Sequence, residues 1–300
     1  MNDVKQKVSH TNDQMNSVIE RVSEMAITLQ NMQSMMDSRK VDVDQIQNQI
    51  FRTNKLPFED YEEADEYSKR SEGLRKYTHV KTKEEFAFKV VDKDYDINDV
   101  KNQVTILMKL KDCQNIINFY GLTSDGNKIY LVTEWAEKGS LREYILEHKR
   151  NINLKLKIKF AYDIAKGLNF LNSVGMIHRD IRSENIVITE HEIAKITKFK
   201  FNRRPNVTGN LTIGTDVIRY SAPEMLRRGI TGEKDKYYIK SDTKCEVYSF
   251  GILLWEIAEC KLPYEQYEDF MEIARKIVGG YREKFTIGTD IPKKYQGTCK

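Results

Sequence analysis

The chain has 300 residues, 40% of them hydrophobic, and a formal net charge of +4. This composition is ample for a globular core, and the charge is too small to indicate nucleic-acid or membrane binding. No apolar run approaches the roughly 18 residues of a membrane span, so we expect a cytoplasmic protein with no integral membrane segment. The four cysteines, Cys113, Cys245, Cys260 and Cys299, have no metal or disulfide spacing, which agrees with a reducing compartment.

The first part of the chain, residues 1–56, is predicted to be helical. Apolar residues recur at alternating steps of four and three from Val4 to Met36, which places them along one stripe of a helix. A second helical stretch surrounds Ile46. The stripe must be covered, either by a second copy of the chain or by packing within one molecule, and both alternatives stay open. The acidic residues 57–66 are predicted to form a linker.

The next part of the chain, residues 67–138, is predicted to be a small β-rich lobe. Phe86–Lys89 alternates apolar residues and ends in a single lysine, as in a strand that presents a lysine to a phosphate. The stretch before it holds only one glycine, Gly73, where a phosphate-binding loop needs several for close backbone approach. In the following helix, the apolar pattern places Gln103 opposite Lys89. A neutral amide can hydrogen-bond the lysine but cannot form an ion pair with it.

A catalytic-loop motif lies in the middle of the chain. His178-Arg179-Asp180 with Asn185 matches H-R-D-x-x-x-x-N, in which Asp orients an attacking hydroxyl and Asn holds a metal ion. Ala222-Pro223-Glu224 matches the end of an activation segment. With Lys89, these motifs stand in kinase order and spacing over roughly 230 residues. The chain therefore resembles a protein kinase.

The kinase resemblance implies an α+β bilobal fold, with a β-rich N-lobe and a helical C-lobe. It places the nucleotide against Lys89, Thr133 and Trp135. Residues 139–300 are then expected to form a C-lobe that lacks its last helices.

The metal-binding segment departs from the kinase pattern. Lys198 and Lys200 stand where the D-F-G motif has its aspartate and glycine. At an effective dielectric near 20, unit charges about 4 Å apart interact by roughly 4 kcal/mol, so a lysine facing Mg²⁺ costs on the order of 8 kcal/mol. We therefore expect no bound metal, no required cofactor, and no activity from the retained Asp180 and Asn185. Lys198 is expected either to contact a phosphate, so that ATP binds without metal, or to be a solvated charge.

The activation segment carries hydroxyls that could accept a phosphate. Thr208, Thr212 and Thr215 are the candidates, and hydroxyls that are never modified are the alternative for each.

Two sequence runs narrow the resemblance to the mixed lineage kinase domain-like family, the necroptosis pseudokinases of the tyrosine kinase-like branch. The runs are Ile181–Asn185 and Lys244–Ala258, and in the second Glu246 starts a long helix where most kinases use aspartate. The resemblance implies a pseudokinase rather than an enzyme. It also implies that the chain binds a receptor-interacting protein kinase, kinase domain to kinase domain.

The family resemblance further implies an inhibitory role. In that family a four-helix killing domain precedes two brace helices, and about 65 residues before the kinase-like part are too few to hold such a bundle. We therefore expect a shortened homologue that acts as a decoy inhibitor of necroptosis, which would fit a viral copy that protects its host cell. Two alternatives remain: a residual serine/threonine or tyrosine kinase that binds ATP, and a scaffold that self-associates through residues 1–56.

Overall fold

The computed structural model describes residues 45, 49, 52, 54–64, 73–91, 97–149, 151–199, 215–231, 243–287 and 291–298. The chain divides into two compact units, residues 1–53 and 54–300. The predicted heptad stripe from Val4 to Met36 lies outside the described residues.

Five strands of the described chain form one antiparallel sheet in the order β1-β2-β3-β5-β4. The strands are β1 (Tyr61–Glu63), β2 (Leu74–His79), β3 (Glu85–Val91), β4 (Phe119–Ser124) and β5 (Ile129–Glu134). Helix α1 (Ile97–Leu110) lies between β3 and β4 in the chain.

The rest of the described chain is mainly helical. Its helices are α2 (Leu141–His148), α3 (Leu154–Ser173), α4 (Thr215–Arg219), α5 (Pro223–Thr231), α6 (Thr243–Glu259), α7 (Phe270–Val278) and α8 (Lys293–Thr298). A small antiparallel pair, β6 (Ile186–Ile188) and β7 (Ala194–Ile196), follows the catalytic-loop motif. The predicted α+β bilobal fold is therefore confirmed. No helix within the described residues is long and apolar enough to cross a membrane.

The side chains of strand β3 point alternately to two faces with different environments. Phe86 and Phe88 point to an aromatic cluster on one face, whereas Ala87 and Lys89 line a cavity on the other. Phe88 is fully buried, and its ring stacks on that of Tyr77 at 4.0 Å between centroids. The pattern that predicted the strand therefore also separates the core side chains from the site side chains.

The predicted acidic linker, residues 57–66, is in its described part a portion of the β-rich lobe. Phe58 packs on Tyr77 and Tyr130 with ring centroids 5.8 and 5.9 Å away, and Tyr61 begins strand β1. The stretch was predicted to be a linker because charged residues such as Glu59 dominate its composition, although its aromatic residues pack on the sheet. We call residues 54–63 the strap, because they run from the free edge of β4 to β1.

The strap begins as a parallel pairing with β4. Leu56 N donates to Leu122 O at 2.6 Å, and Leu122 N donates to Asn54 O at 2.7 Å. Gly121 makes this approach feasible, since a Cβ atom there would lie 2.4 Å from Asn54 O and 2.9 Å from Leu56 Cγ. The glycine thus permits the strap to cover an otherwise open sheet edge.

Candidate functional site

A cavity of about 320 Å³ lies between the β-rich and helical lobes. Its lining brings together Lys89, Gln103, Thr133, Trp135 and Lys198. These are the residues that the sequence assigned to nucleotide binding or to the damaged motifs. Gly73 is not part of the lining. Its φ is 78°, and its carbonyl accepts a hydrogen bond from Val90 N at 2.8 Å.

One wall of the cavity is built by the end of β5 and the segment after it. Thr133, Glu134, Trp135 and Ala136 line the wall here, and we call residues 134–136 the hinge. Trp135 and Ala136 are buried, and they give this wall an apolar surface.

Charged side chains from both lobes also line the cavity. Lys89 comes from β3, and Lys198 comes from the segment that follows β7. Glu143 and Glu184 add carboxylates to the lining. Lys89, Lys198 and Arg142 therefore share this cavity with the buried side chains of Trp135 and Ala136.

Glu246 anchors the backbone of the catalytic loop. Its Oε1 accepts from His178 N at 2.6 Å and from Arg179 N at 3.1 Å. Burial raises the pKa of Glu246, while these two hydrogen bonds lower it. Arg179 has a φ of 66°, so this anchoring also supports an uncommon backbone conformation.

Asp180 and Asn185 lie close together within the loop. Asn185 Nδ2 donates to the carbonyl of Asp180 at 2.7 Å, and Arg182 Nε lies 3.2 Å from Asp180 Oδ1. Thr197 N donates to Asn185 O at 2.9 Å, which ties the loop to the segment that carries Lys198. Sequence reasoning did not single out Arg182, although its place two residues after Asp180 was a usable signal.

Lys198 adopts a left-handed backbone with a φ of 60°, and its Nζ donates to Glu184 O at 3.1 Å. Burial lowers the pKa of this lysine, and the charge of Arg182 lowers it further. The next residue, Phe199, is buried against His178 with ring centroids 4.9 Å apart. Lys198 therefore lines the cavity and is also exposed to solvent.

Beneath the catalytic loop lies a buried polar network centred on Glu256. Arg142 Nη1 and Ser183 Oγ donate to Glu256 Oε1 at 3.0 and 2.8 Å, and Tyr220 OH donates to Glu256 Oε2. Glu256 is fully buried, and burial raises its pKa to about 7. The network joins the catalytic loop to α2, α6 and the residues before α5.

Protein kinases use Mg²⁺ with ATP, so the fit of this site to a metal can be tested. Asn185 Oδ1 is buried with no hydrogen-bond partner in the described chain, which suits a metal ligand. The neighbouring position, however, presents the Lys198 ammonium in place of a carboxylate. No group of three or more His, Cys, Asp or Glu side chains that could hold a metal ion occurs within the described residues. The donor set therefore does not fit a bound magnesium ion.

Lys200, Thr208 and Thr212 lie outside the described residues. Thr215 is the first residue of α4, and its side chain is not among those described.

The two-lobed fold, the cleft and the catalytic loop together define a protein-kinase-like protein. A family model described as protein tyrosine and serine/threonine kinase matches residues 64–291. The chain belongs to this family.

Curated relatives agree with this family. A probable LIM domain-containing serine/threonine-protein kinase of Dictyostelium discoideum is 32% identical over 69% of this chain and 30% of its own length. A putative mitogen-activated protein kinase kinase kinase 7-like protein of Drosophila melanogaster is 32% identical over 62% of this chain and 46% of its own. The human cytoplasmic tyrosine-protein kinase BMX is 30% identical over 59% of this chain and 25% of its own. The chain thus spans less than half the length of these relatives.

These relatives overturn one expectation from the sequence. The prediction that the chain is a pseudokinase and not an enzyme is wrong, because the proteins it matches are named serine/threonine and tyrosine kinases. The energy argument behind it placed a fully charged Lys198 against a metal ion. In the structure, Lys198 Nζ donates to the carbonyl of Glu184 at 3.1 Å.

Proposed function

We propose that the cleft binds ATP, with the base at the hinge and the phosphates between Lys89 and Lys198. The observation that carries this proposal is the lining of one cavity both by the buried Trp135 and Ala136 and by lysines from two lobes. At an effective dielectric near 20, each ammonium placed about 4 Å from a phosphate charge contributes roughly 4 kcal/mol before desolvation. Two such contacts can neutralise much of the charge that a metal ion would otherwise balance.

Phosphoryl transfer to a protein hydroxyl is the activity we propose for the bound nucleotide. Asp180 is the residue that would accept the hydroxyl proton, and Arg182 holds its carboxylate at 3.2 Å. Lys198 would offset negative charge on the transferred phosphate, since catalysis of this reaction is mainly positioning and electrostatic stabilisation. The names of the relatives support this activity, while the substrate hydroxyl is open between serine, threonine and tyrosine.

Calorimetric titration with ATP tests the binding proposal. ATP should bind in EDTA as well as in magnesium, and Lys89→Met and Lys198→Met should each weaken it about tenfold or more through loss of a phosphate contact. Lys128→Met, an exposed lysine in the β4–β5 turn, is the control and should leave affinity unchanged. Binding that requires magnesium, or that ignores both cleft lysines, would contradict the proposal.

The transfer step needs a separate measurement. Phosphate transfer from ATP to a mixed protein substrate should vanish in Asp180→Asn, while ATP affinity should be retained. Transfer that persists in this variant would rule out Asp180 as the residue that orients the hydroxyl.

A second proposed function concerns a partner. We propose that the kinase-like domain binds a receptor-interacting protein kinase and thereby inhibits necroptosis. The support for this proposal is the resemblance of the Ile181–Asn185 and Lys244–Ala258 runs to that family. Capture of the receptor-interacting kinase from cells undergoing necroptosis tests this role, and Asp180→Asn should not change the capture. Failure to capture it from such cells would refute the proposal.

Self-association through residues 1–56 stays a prediction, because the heptad stripe lies outside the described residues. A size measurement on this segment tests it, and a monomer at high concentration would contradict it.

A further inference from the structure

Three chain segments meet at the side chain of Glu134, the first residue of the hinge. Its Oε2 accepts from Lys195 Nζ at 2.6 Å and from Asn118 N at 3.3 Å. The backbone adds a further bond, since Glu134 N donates to Asn118 O at 2.9 Å. One carboxylate therefore ties the end of β5 both to the start of β4 and to β7 in the other lobe.

The ion pair is buried, and this has an energetic cost. Only 6% of the Lys195 side chain and 20% of the Glu134 side chain are exposed. Desolvation can cancel the attraction in such a pair, so a buried ion pair is weak evidence for a role in stability. The pair does constrain the geometry, because a buried ammonium and a carboxylate pair well only over a narrow range of distances and orientations.

The position of Lys195 links the two ends of the cavity. It lies opposite Val187 in the β6–β7 pair, and Val187 lines the cavity. Three residues further along the chain is Lys198, at the phosphate end. Strand β7 is itself fixed, since Ile196 N donates to Asn115 O at 2.9 Å.

We propose that the Lys195–Glu134 pair is a positioning device that fixes the hinge against β7. It holds the base-binding and phosphate-binding ends of the cleft at one spacing. Lys195 is then a positioning residue for adenine-nucleotide recognition, and the nucleotide part of this inference rests on the proposed function.

Paired substitutions separate positioning from simple destabilisation. Lys195→Met alone leaves the buried Glu134 carboxylate without its ammonium partner. This variant should be less stable because of the unpaired charge, whether or not the pair positions the hinge. Combining it with Glu134→Gln removes both charges, and Lys195→Arg keeps the charge. Lys138→Met is the matched control, because Lys138 forms a surface pair with Glu192 at 3.4 Å.

The first readout is amide hydrogen exchange of the hinge in the absence of nucleotide. In the double variant, exchange at Trp135 and Ala136 should accelerate about tenfold or more relative to β5 amides, whereas Lys138→Met should leave it unchanged. Unchanged hinge exchange in the double variant would overturn the proposal. This readout decides the positioning role even if the wild-type chain binds no nucleotide, an outcome that would refute only the proposed function.

The second readout compares ATP with inorganic tripolyphosphate, which lacks the base. The double variant should lose about tenfold in ATP affinity and less than about twofold in tripolyphosphate affinity, while Lys195→Arg should stay within about threefold of wild type for ATP. Equal losses for both ligands would indicate a general structural defect and overturn the proposal.

Discussion

The fully buried Glu256 predicts a specific dependence of stability on pH. Burial raises its pKa from the ordinary 4.5 to about 7, so the folded chain keeps a proton that the unfolded chain releases. Stability contributed by the protonated form is complete below about pH 4.5, falls as pH rises and levels off above about pH 7. The difference between the two pKa values corresponds to about 3 kcal/mol. Glu256→Gln removes this titration, so its free energy of unfolding minus that of wild type should increase by about 3 kcal/mol as pH rises across this range.

Urea unfolding of the whole chain at several pH values between 4.5 and 8 measures this effect. The groups that face Glu256 are Arg142, Ser183, Tyr220 and Glu184, and the amide replacement also alters their hydrogen bonds. The altered hydrogen bonds shift the free energy of unfolding by the same amount at every pH, whereas the titration makes the difference between variant and wild type change with pH. Glu272→Gln, at a partly exposed carboxylate on α7, is the control and should follow the wild-type profile. A constant difference between Glu256→Gln and wild type at every pH would refute the reasoning.

Three further predictions concern the strap, the metal position and a helix cap. Gly121→Ala should destabilise the fold by about 1–3 kcal/mol in thermal unfolding, because its Cβ would collide with the strap backbone, while Gly297→Ala has open space and should not. Lys198→Asp should make ATP binding at least about tenfold stronger in magnesium than in EDTA by calorimetry, and equal affinities would contradict this. Ser140→Ala should cost about 1 kcal/mol in urea unfolding, because Ser140 Oγ accepts from Glu143 N at 3.2 Å at the start of α2, and an unchanged midpoint would contradict it.

Much of the fold could be predicted because its signals are local. The alternation ending at Lys89 identified a strand, and the spacing from Asp180 to Asn185 identified a loop whose two residues do contact each other. The apolar face of α1 placed Gln103 in the same cavity as Lys89. Each inference required only a few neighbouring residues.

The missed features depend on contacts between distant residues. Glu134 and Lys195 are 61 positions apart, and no pattern around either predicts the pair. The strap was missed for a related reason, because its acidic residues dominate the composition while Phe58 and Tyr61 supply the packing. The environment of Lys198 likewise depends on a carbonyl 14 residues away, which a motif comparison does not reveal.

The strap has a practical consequence for dissecting the protein into fragments. A fragment that starts at residue 67, where motif comparison places the kinase-like lobe, would leave the rings of Tyr77, Phe88 and Tyr130 without the cover of Phe58. Such a fragment should aggregate in solution and express poorly, because it would expose both a hydrophobic surface and an unpaired strand edge. A fragment that begins before Asn54 keeps the strap.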